Sequence, residues 1–321
     1  MKTLDPATQE MLDRALEKVV EGTDSNITLV PGYKRKLYKA IMESLQYADQ
    51  LIEQIPRPIE LSGNKLISDP YVRAFFYTNN GLQKACEQSY ELKAFFQEHE
   101  SSESCALLCM RKVEKTVLGM QLEGDQVLRD VKQTRVSFEN HRIQSPAEDE
   151  STARKELKCC IFEGLVTNAL SDISALRARR RQLQTEQQRL TGRLRTKNHV
   201  EIAKGVSHLD YMEGMGAGSG EGKLEWIERE LDQIGYITPE ASLNQVNATF
   251  EHPEDFIGMK KLSINLDTSG ILRSGNDQAR LVNKLNLFEV TIKGQPSRVV
   301  TLVKISSAEL GSREFRFPRV I

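Results

Sequence analysis

A chain of 321 residues is long enough for two or three domains. Its hydrophobic share of 39%, charged share of 28% and aromatic share of only 6% suit long solvated helices better than one thick core. A net charge of −1 supplies no global field toward nucleic acid or membrane, so any such attraction must be local.

The opening MKTLDPATQE has no apolar h-region and does not read as a secretory signal. No stretch reads as the ~18–20 apolar residues that a membrane span needs. Cys86, Cys105, Cys109, Cys159 and Cys160 are odd in number and form no disulfide framework, so a reducing cytoplasm is expected.

The first helix is punctuated by Asp5-Pro6 and Gly22, with Met11, Leu12, Ala15, Leu16, Val19 and Val20 on one stripe. A second is expected from Tyr33 to Ile55, stopped by Pro56 and Pro58. Asp69-Pro70 restarts the chain, and LQKACEQSYELKAFF continues it as helix, so residues 1–100 read as a helical bundle. Val113, Val117, Met120, Gly124, Val127, Val131, Thr134 and Phe138 then alternate in steps of four and three, the spacing of a heptad seam. Beyond Ser145-Pro146, Ile173, Leu176, Arg180, Leu183, Gln187, Leu190 and Leu194 repeat that spacing. Two such helices joined by a short polar loop predict an antiparallel coiled-coil hairpin over 101–200, and with it a homodimer.

An acidic, glycine-rich linker is expected over 201–222, centred on GMGAGSGEG. Residues 223–321 then read as a small α+β module. Helices around Leu224–Ile234 and after Thr238-Pro239 precede an alternating strand at Leu262, Ile264 and Leu266. LFEVTI and RVVTLVKI flank KGQPS as a hairpin. The expected fold class is therefore mainly α: a helical bundle plus a long antiparallel coiled-coil hairpin, with a small C-terminal α+β module.

Motifs for chemistry are sparse. Ser219, Glu221 and Lys223 stand where a dinucleotide fingerprint needs glycine, and Ala217 and Leu224 break a phosphate loop. Cys105 and Cys109 do not meet Cys159-Cys160 in the expected hairpin, so no zinc site is read. His99, His141, His199, His208 and His252 are scattered, without HExxH spacing. No catalytic residue, metal or cofactor is assigned, and the chain is read as non-enzymatic.

Asp267-Thr268-Ser269-Gly270 resembles the Asp-x-Ser-x-x-Gly element of cyclic-di-GMP-binding PilZ-type domains, which also sit on small β-barrels. The resemblance covers that patch alone. Leu272 stands where the glycine is expected, and Met259-Lys260-Lys261 supplies no Arg-x-x-x-Arg. It implies a sensor of a small phosphorylated ligand in the β-module; a strand-ending turn explains the same residues. The closing REFRFPRVI has the composition of an anchoring peptide or of an edge strand.

The densest charge lies in Arg177, Arg179, Arg180, Arg181, Arg189, Arg193, Arg195 and Lys197, set against Glu186. Such a helix can neutralise phosphates, but it carries no aromatic residue for stacking on bases. Residues 198–234 hold eight acids against three bases, so the helix can be neutralised within the protein. The candidate interaction surface is Arg177, Arg179, Arg181, Arg189, Arg193 and Arg195 with Leu190 and Leu194. The leading reading is a cytoplasmic structural or adaptor protein with protein partners. A nucleic-acid-associated protein ranks second and a ligand sensor third.

Overall fold

A computed structural model describes residues 6–123, 126–203, 220–235, 238–273 and 282–310. The chain divides into two compact units, each assembled from two separated stretches. One holds Met1–Ser44 and Glu163–His252; the other holds Leu45–Phe162 and Pro253–Ile321. The division falls inside two long helices.

The first unit is helical. Its elements are α1 (Pro6–Gly22), the N-terminal half of α2 (Tyr33–Gln54), most of α7 (Glu150–Ala203), α8 (Gly220–Ile234) and α9 (Pro239–Glu251). The α1 stripe is buried at Leu12, Leu16, Val19 and Val20. Leu37 and Ile41 of α2, Leu165, Ala169 and Ile173 of α7, and Leu243, Val246 and Phe250 of α9 are buried with it. Gly22 ends α1 where a Cβ would lie 2.5 Å from Val166 of α7, so any larger residue would push the helices apart. Thr238 and Pro239 open α9 as a cap pair, the threonine hydroxyl accepting from the Ala241 N–H.

The second unit overturns the mainly-α expectation. Strands make up 29% of the structure and form a curled six-stranded sheet, a half-barrel. They are β1 (Ile59–Leu61), β2 (Glu103–Glu123), β3 (Gln126–Ala147), β4 (Ile257–Asp267), β5 (Val282–Ile292) and β6 (Arg298–Ser306). The order is β3-β2-β6-β5-β4, antiparallel throughout, with β1 added parallel to β6. The last three strands are therefore not a small separate module: β6 pairs with β2 over Glu103–Met110.

The coiled-coil hairpin is corrected at its first arm. Residues 113–138 are two antiparallel strands, with Val113 opposite Ser137 and Val117 opposite Gln133. In strand geometry the supposed seam divides between faces, because four-residue steps preserve the face and three-residue steps switch it. Val113, Val117 and Val131 share one face; Thr134 and Phe138 lie on the other, with Met120. The run of β-branched residues favours this outcome over a helix. The second arm is helical as expected, running 54 residues as α7. One window of it reaches a mean hydropathy of 1.3, enough by length and composition for a membrane span and contrary to the sequence reading. Leu157, Phe162, Leu165, Ala169 and Ile173 of this helix are buried, but only 28% of the window is, and Leu170 and Leu176 are exposed.

Four short helices cover the sheet: α3 (Lys65–Ser68), α4 (Pro70–Phe75), α5 (Asn79–Gln88) and α6 (Tyr90–Glu98). They replace the C-terminal part of the expected bundle. Asp69 caps α4 by accepting from the Tyr71 and Val72 N–H groups, and Ser89 caps α6 while donating to the Ile143 carbonyl. Phe75, Phe76, Leu82 and Leu92 pack on one sheet face, against Ala106, Leu108, Met110, Val136, Phe138, Leu287 and Val303. On the other face Cys105 and Leu302 meet Ile52 and Ile55 of α2 and Ala153 and Leu157 of α7. With both faces covered, β2 reads as the near-continuous apolar run CALLCM. Arg154 fixes α2 against α7, donating to the carbonyls of Ile52 (2.6 Å), Ile55 (2.9 Å) and Pro56 (3.2 Å) at the end of α2.

The Asp267-Thr268-Ser269-Gly270 turn joins the two ends of the sheet. Asp267 accepts from the Ser269 and Ile271 N–H groups, and Gly270 has φ +76°. The Gly270 carbonyl accepts from Val136 of β3, and Leu272 donates to Thr134. A Cβ at 270 would meet the Tyr77 hydroxyl at 2.6 Å and the Val136 carbonyl at 3.0 Å, so glycine is required on two counts. Asp267 and Arg273 form an ion pair at 2.8 Å with side chains 3% and 7% exposed. Burial pushes the Asp267 pKa up; hydrogen bonds from Ile271, Arg273 and Ser269 and the Arg273 charge outweigh it and hold the carboxyl below its ordinary value. Asp267→Asn should cost about 3–5 kcal/mol in urea unfolding, because it removes the carboxylate charge from beside a buried guanidinium. The depressed pKa means that the pair's contribution is complete above about pH 4 and is lost as pH falls through the folded-state value. The difference between wild type and variant should therefore shrink below pH 4. A constant difference from pH 7 to pH 3 would contradict the assignment.

Candidate interaction surfaces

The basic helix is engaged within its own unit. Arg177 reaches Asp24, a carboxylate only 6% exposed at the head of the short 3-10 turn Ser25–Leu29. Asp24 also accepts from the Ser242 hydroxyl at 2.7 Å and the Asn26 N–H at 3.1 Å. Burial raises its pKa, and these hydrogen bonds with the Arg177 charge more than reverse the rise. Arg179 lies 5.8 Å over the ring of Trp226 on α8, a cation–π contact.

Leu183 and Leu190 are buried against Ile227 of α8, with Leu224, Leu231 and Ile234 around them. The α7 seam therefore has a partner, but the partner is α8 rather than residues 113–138. The ion pair across that contact runs opposite to the expected sense. The acid, Glu186, belongs to α7 and the base, Lys223, to α8, at 3.0 Å. Glu186 also takes Arg189 at 2.7 Å, and the Arg189 and Lys223 hydrogen bonds pull its carboxyl down to about 2. Gln187 donates to Glu228 at 3.4 Å. Arg181 and Arg193 are exposed, and Leu194 is half-buried. The Arg195 side chain, most of the 201–222 linker and all of REFRFPRVI lie outside the described residues.

A second surface escaped the sequence reading. β2 has β6 beside it only as far as Met110, while β3 accompanies it to Glu123. Residues 111–123 and their partners thus form a two-stranded ribbon, about 40 Å long at 3.3 Å per residue. Among the described residues no other strand pairs with 111–123. Glu139 holds the ribbon's base through Arg111 (3.3 Å) and Lys115 (3.4 Å); those two cations lower its pKa. Arg135 sits 5.3 Å over Tyr77. Farther out, Gln133 crosses Gly119 to donate to the Met120 carbonyl, and irregular register follows Gly119. Leu118 is 65% exposed and Met120 60%. Met120 carried a signal in the sequence, but as a seam residue; Leu118 carried none.

The remaining chemistry is quiet. None of the five cysteines is in a disulfide, and burial pushes Cys86 up to about 12 and Cys105 and Cys109 up to about 11, far from a reactive thiolate. Among the described residues no group of three His, Cys, Asp or Glu side chains is placed to hold a metal ion. The cleft beside the Asp267 turn has a volume of only about 20 Å³, space for one water. That carboxylate is already held by its own turn and by Arg273.

No protein-family profile, curated protein or solved structure matches this chain.

Two substitutions test the α7 surface. Arg177→Glu sets a second carboxylate beside buried Asp24 and should lower stability by about 2–4 kcal/mol, with Arg177→Lys recovering part of it. An unchanged unfolding midpoint in Arg177→Glu would remove the ion pair from the account. Leu190→Lys places an ammonium against Ile227 and should free α8 from α7. Trp226 is the only tryptophan, so its emission should shift to longer wavelength and iodide should quench it more strongly. Wild-type emission and quenching would show that Leu190 does not hold α8.

Proposed function

We propose that this chain is a structural or adaptor protein that acts by binding other protein chains, and that the ribbon built by residues 111–123 and 126–139 is its contact surface. The observation that carries this reading is a long strand edge without a neighbour among the described residues, beside two large apolar side chains, Leu118 and Met120, that are mostly in solvent. Two-stranded ribbons are marginal on their own, and an open edge with exposed apolar residues is a ready template for strand addition. A partner strand laid along 111–123 satisfies those backbone groups and covers Leu118 and Met120.

The basic helix supports the same reading over a nucleic-acid one, since Arg177, Arg179 and Arg189 are drawn to Asp24, Trp226 and Glu186. A cytoplasmic setting belongs to the proposal; five cysteines outside any disulfide are compatible with a reducing compartment.

The test trims the ribbon. Residues 118–132 are replaced by Asn-Gly between Val117 and Gln133, which face each other across the hairpin. The sheet should survive, with a melting temperature within about 3 °C of wild type. Partners co-purifying from the native cell with the intact chain should be lost from the trimmed one. Recovery of the same partners by a folded, trimmed protein would overturn the proposal.

A further inference from the structure

The sheet has a fork that makes a second, independent site. β5 pairs with β6 only at Phe288–Val290, opposite Arg298–Val300. β1 takes the same edge of β6 at Val303–Ile305. Between them Thr301 and Leu302 have neither strand beside them, and a cleft of about 430 Å³ opens there. That volume lies within the range of small-molecule sites.

Its lining sorts by chemistry. Ile59, Leu287, Phe288 and Val300 supply an apolar part, with Leu287 and Val300 buried. The charged members are Arg57 and Lys261, both exposed, and no lining residue is acidic. Two of the neutral polar groups, Tyr71 and Asn286, are placed to donate as well, whereas Gln54 gives an N–H to the Gln50 carbonyl and Thr301 its hydroxyl proton to the Leu302 carbonyl. The Tyr71 hydroxyl accepts the Asn286 N–H at 3.2 Å, which leaves its own proton to give. The Asn286 side-chain carbonyl accepts from Ser263 at 3.1 Å, which leaves its NH₂ to give. An apolar pocket with two cations and two further donors, and without a carboxylate, selects against cations and neutral acceptor-poor molecules.

We infer that the fork between β1 and β5 binds a small organic anion with an apolar body, an aryl or alkyl carboxylate, sulfonate or phosphate. The body lies on Phe288 and Val300, which face each other across β5 and β6, and the anionic head meets Arg57, Lys261 and the Asn286 amide. No bond is made or broken; the site is one of recognition.

The probe is 1-anilinonaphthalene-8-sulfonate, compared with N-phenyl-1-naphthylamine, which has the same aromatic body and no charge. Fluorescence titration of the full chain should show one tight site for the sulfonate, at least about tenfold stronger than for the neutral dye, as charge-assisted hydrogen bonds imply. Changing Arg57 and Lys261 together to Glu should weaken the sulfonate by more than about tenfold and leave the neutral dye within about threefold. Asn286→Trp, which fills the cleft from an exposed position, should remove the tight site for both dyes. All three changed residues are exposed, and circular dichroism checks that each variant folds. Equal affinity for the two dyes, sulfonate binding that survives either variant, or no saturable binding by the folded chain would each overturn the inference.

Discussion

The whole sheet depends on satisfying β6. Val299, Val300, Thr301, Leu302, Val303 and Ile305 are all buried, so the backbone groups between them must find partners inside the protein. β2 supplies one edge in full, and β5 and β1 share the other. Both sites described above are consequences of how long that strand is and who sits beside it. β2 outruns β6 at Met110, and the excess becomes the ribbon. β5 and β1 do not meet along their shared edge, and the interval becomes the cleft.

Local signals were legible wherever one period dominated. The α1 stripe, the Asp69-Pro70 and Thr238-Pro239 caps, the α2 limits and the alternation in β4 were readable because each needs only neighbours within a turn or a strand. The ribbon was misread for a physical reason. A strand that is partly apolar on both faces places its large residues at intervals of three and four as easily as of two, and Val113–Phe138 does so. The long α7 was legible, but its partner was not, since nothing in the seam distinguishes one apolar helix from another.

The candidate sites were less legible than the fold, because their members meet only in space. Arg177 and Asp24 are 153 residues apart, and Arg57 and Lys261 come from separate strokes of the chain. Composition suggested that acids of 198–234 would offset the basic helix, while the partners found for Arg177 and Arg189 are Asp24 and Glu186. It could not announce that the counter-charge of Arg177 is a buried cap, or that the ion pair to α8 would be inverted, with Glu186 on the basic helix and Lys223 on the acidic one. The Asp267 turn shows the converse: a short motif that suggested a ligand is fully engaged in closing the sheet's corner.

The parallel pairing of Ile59–Leu61 with Val303–Ile305 has a bearing on how the molecule is made. The chain is synthesised from its N-terminus, so β1 and the apolar CALLCM stretch of β2 leave the ribosome long before the strand that covers them. At 5–20 residues per second, the roughly 190 residues between Met110 and Val299 take about 10–40 s to appear. During that interval one edge of β2 and much of its apolar surface stay open, while α7 can already form. Closure is then late and non-local, the regime of slow folding and of exposure to aggregation. In such a chain the apolar run of β2 is the surface most in need of cover until β6 emerges.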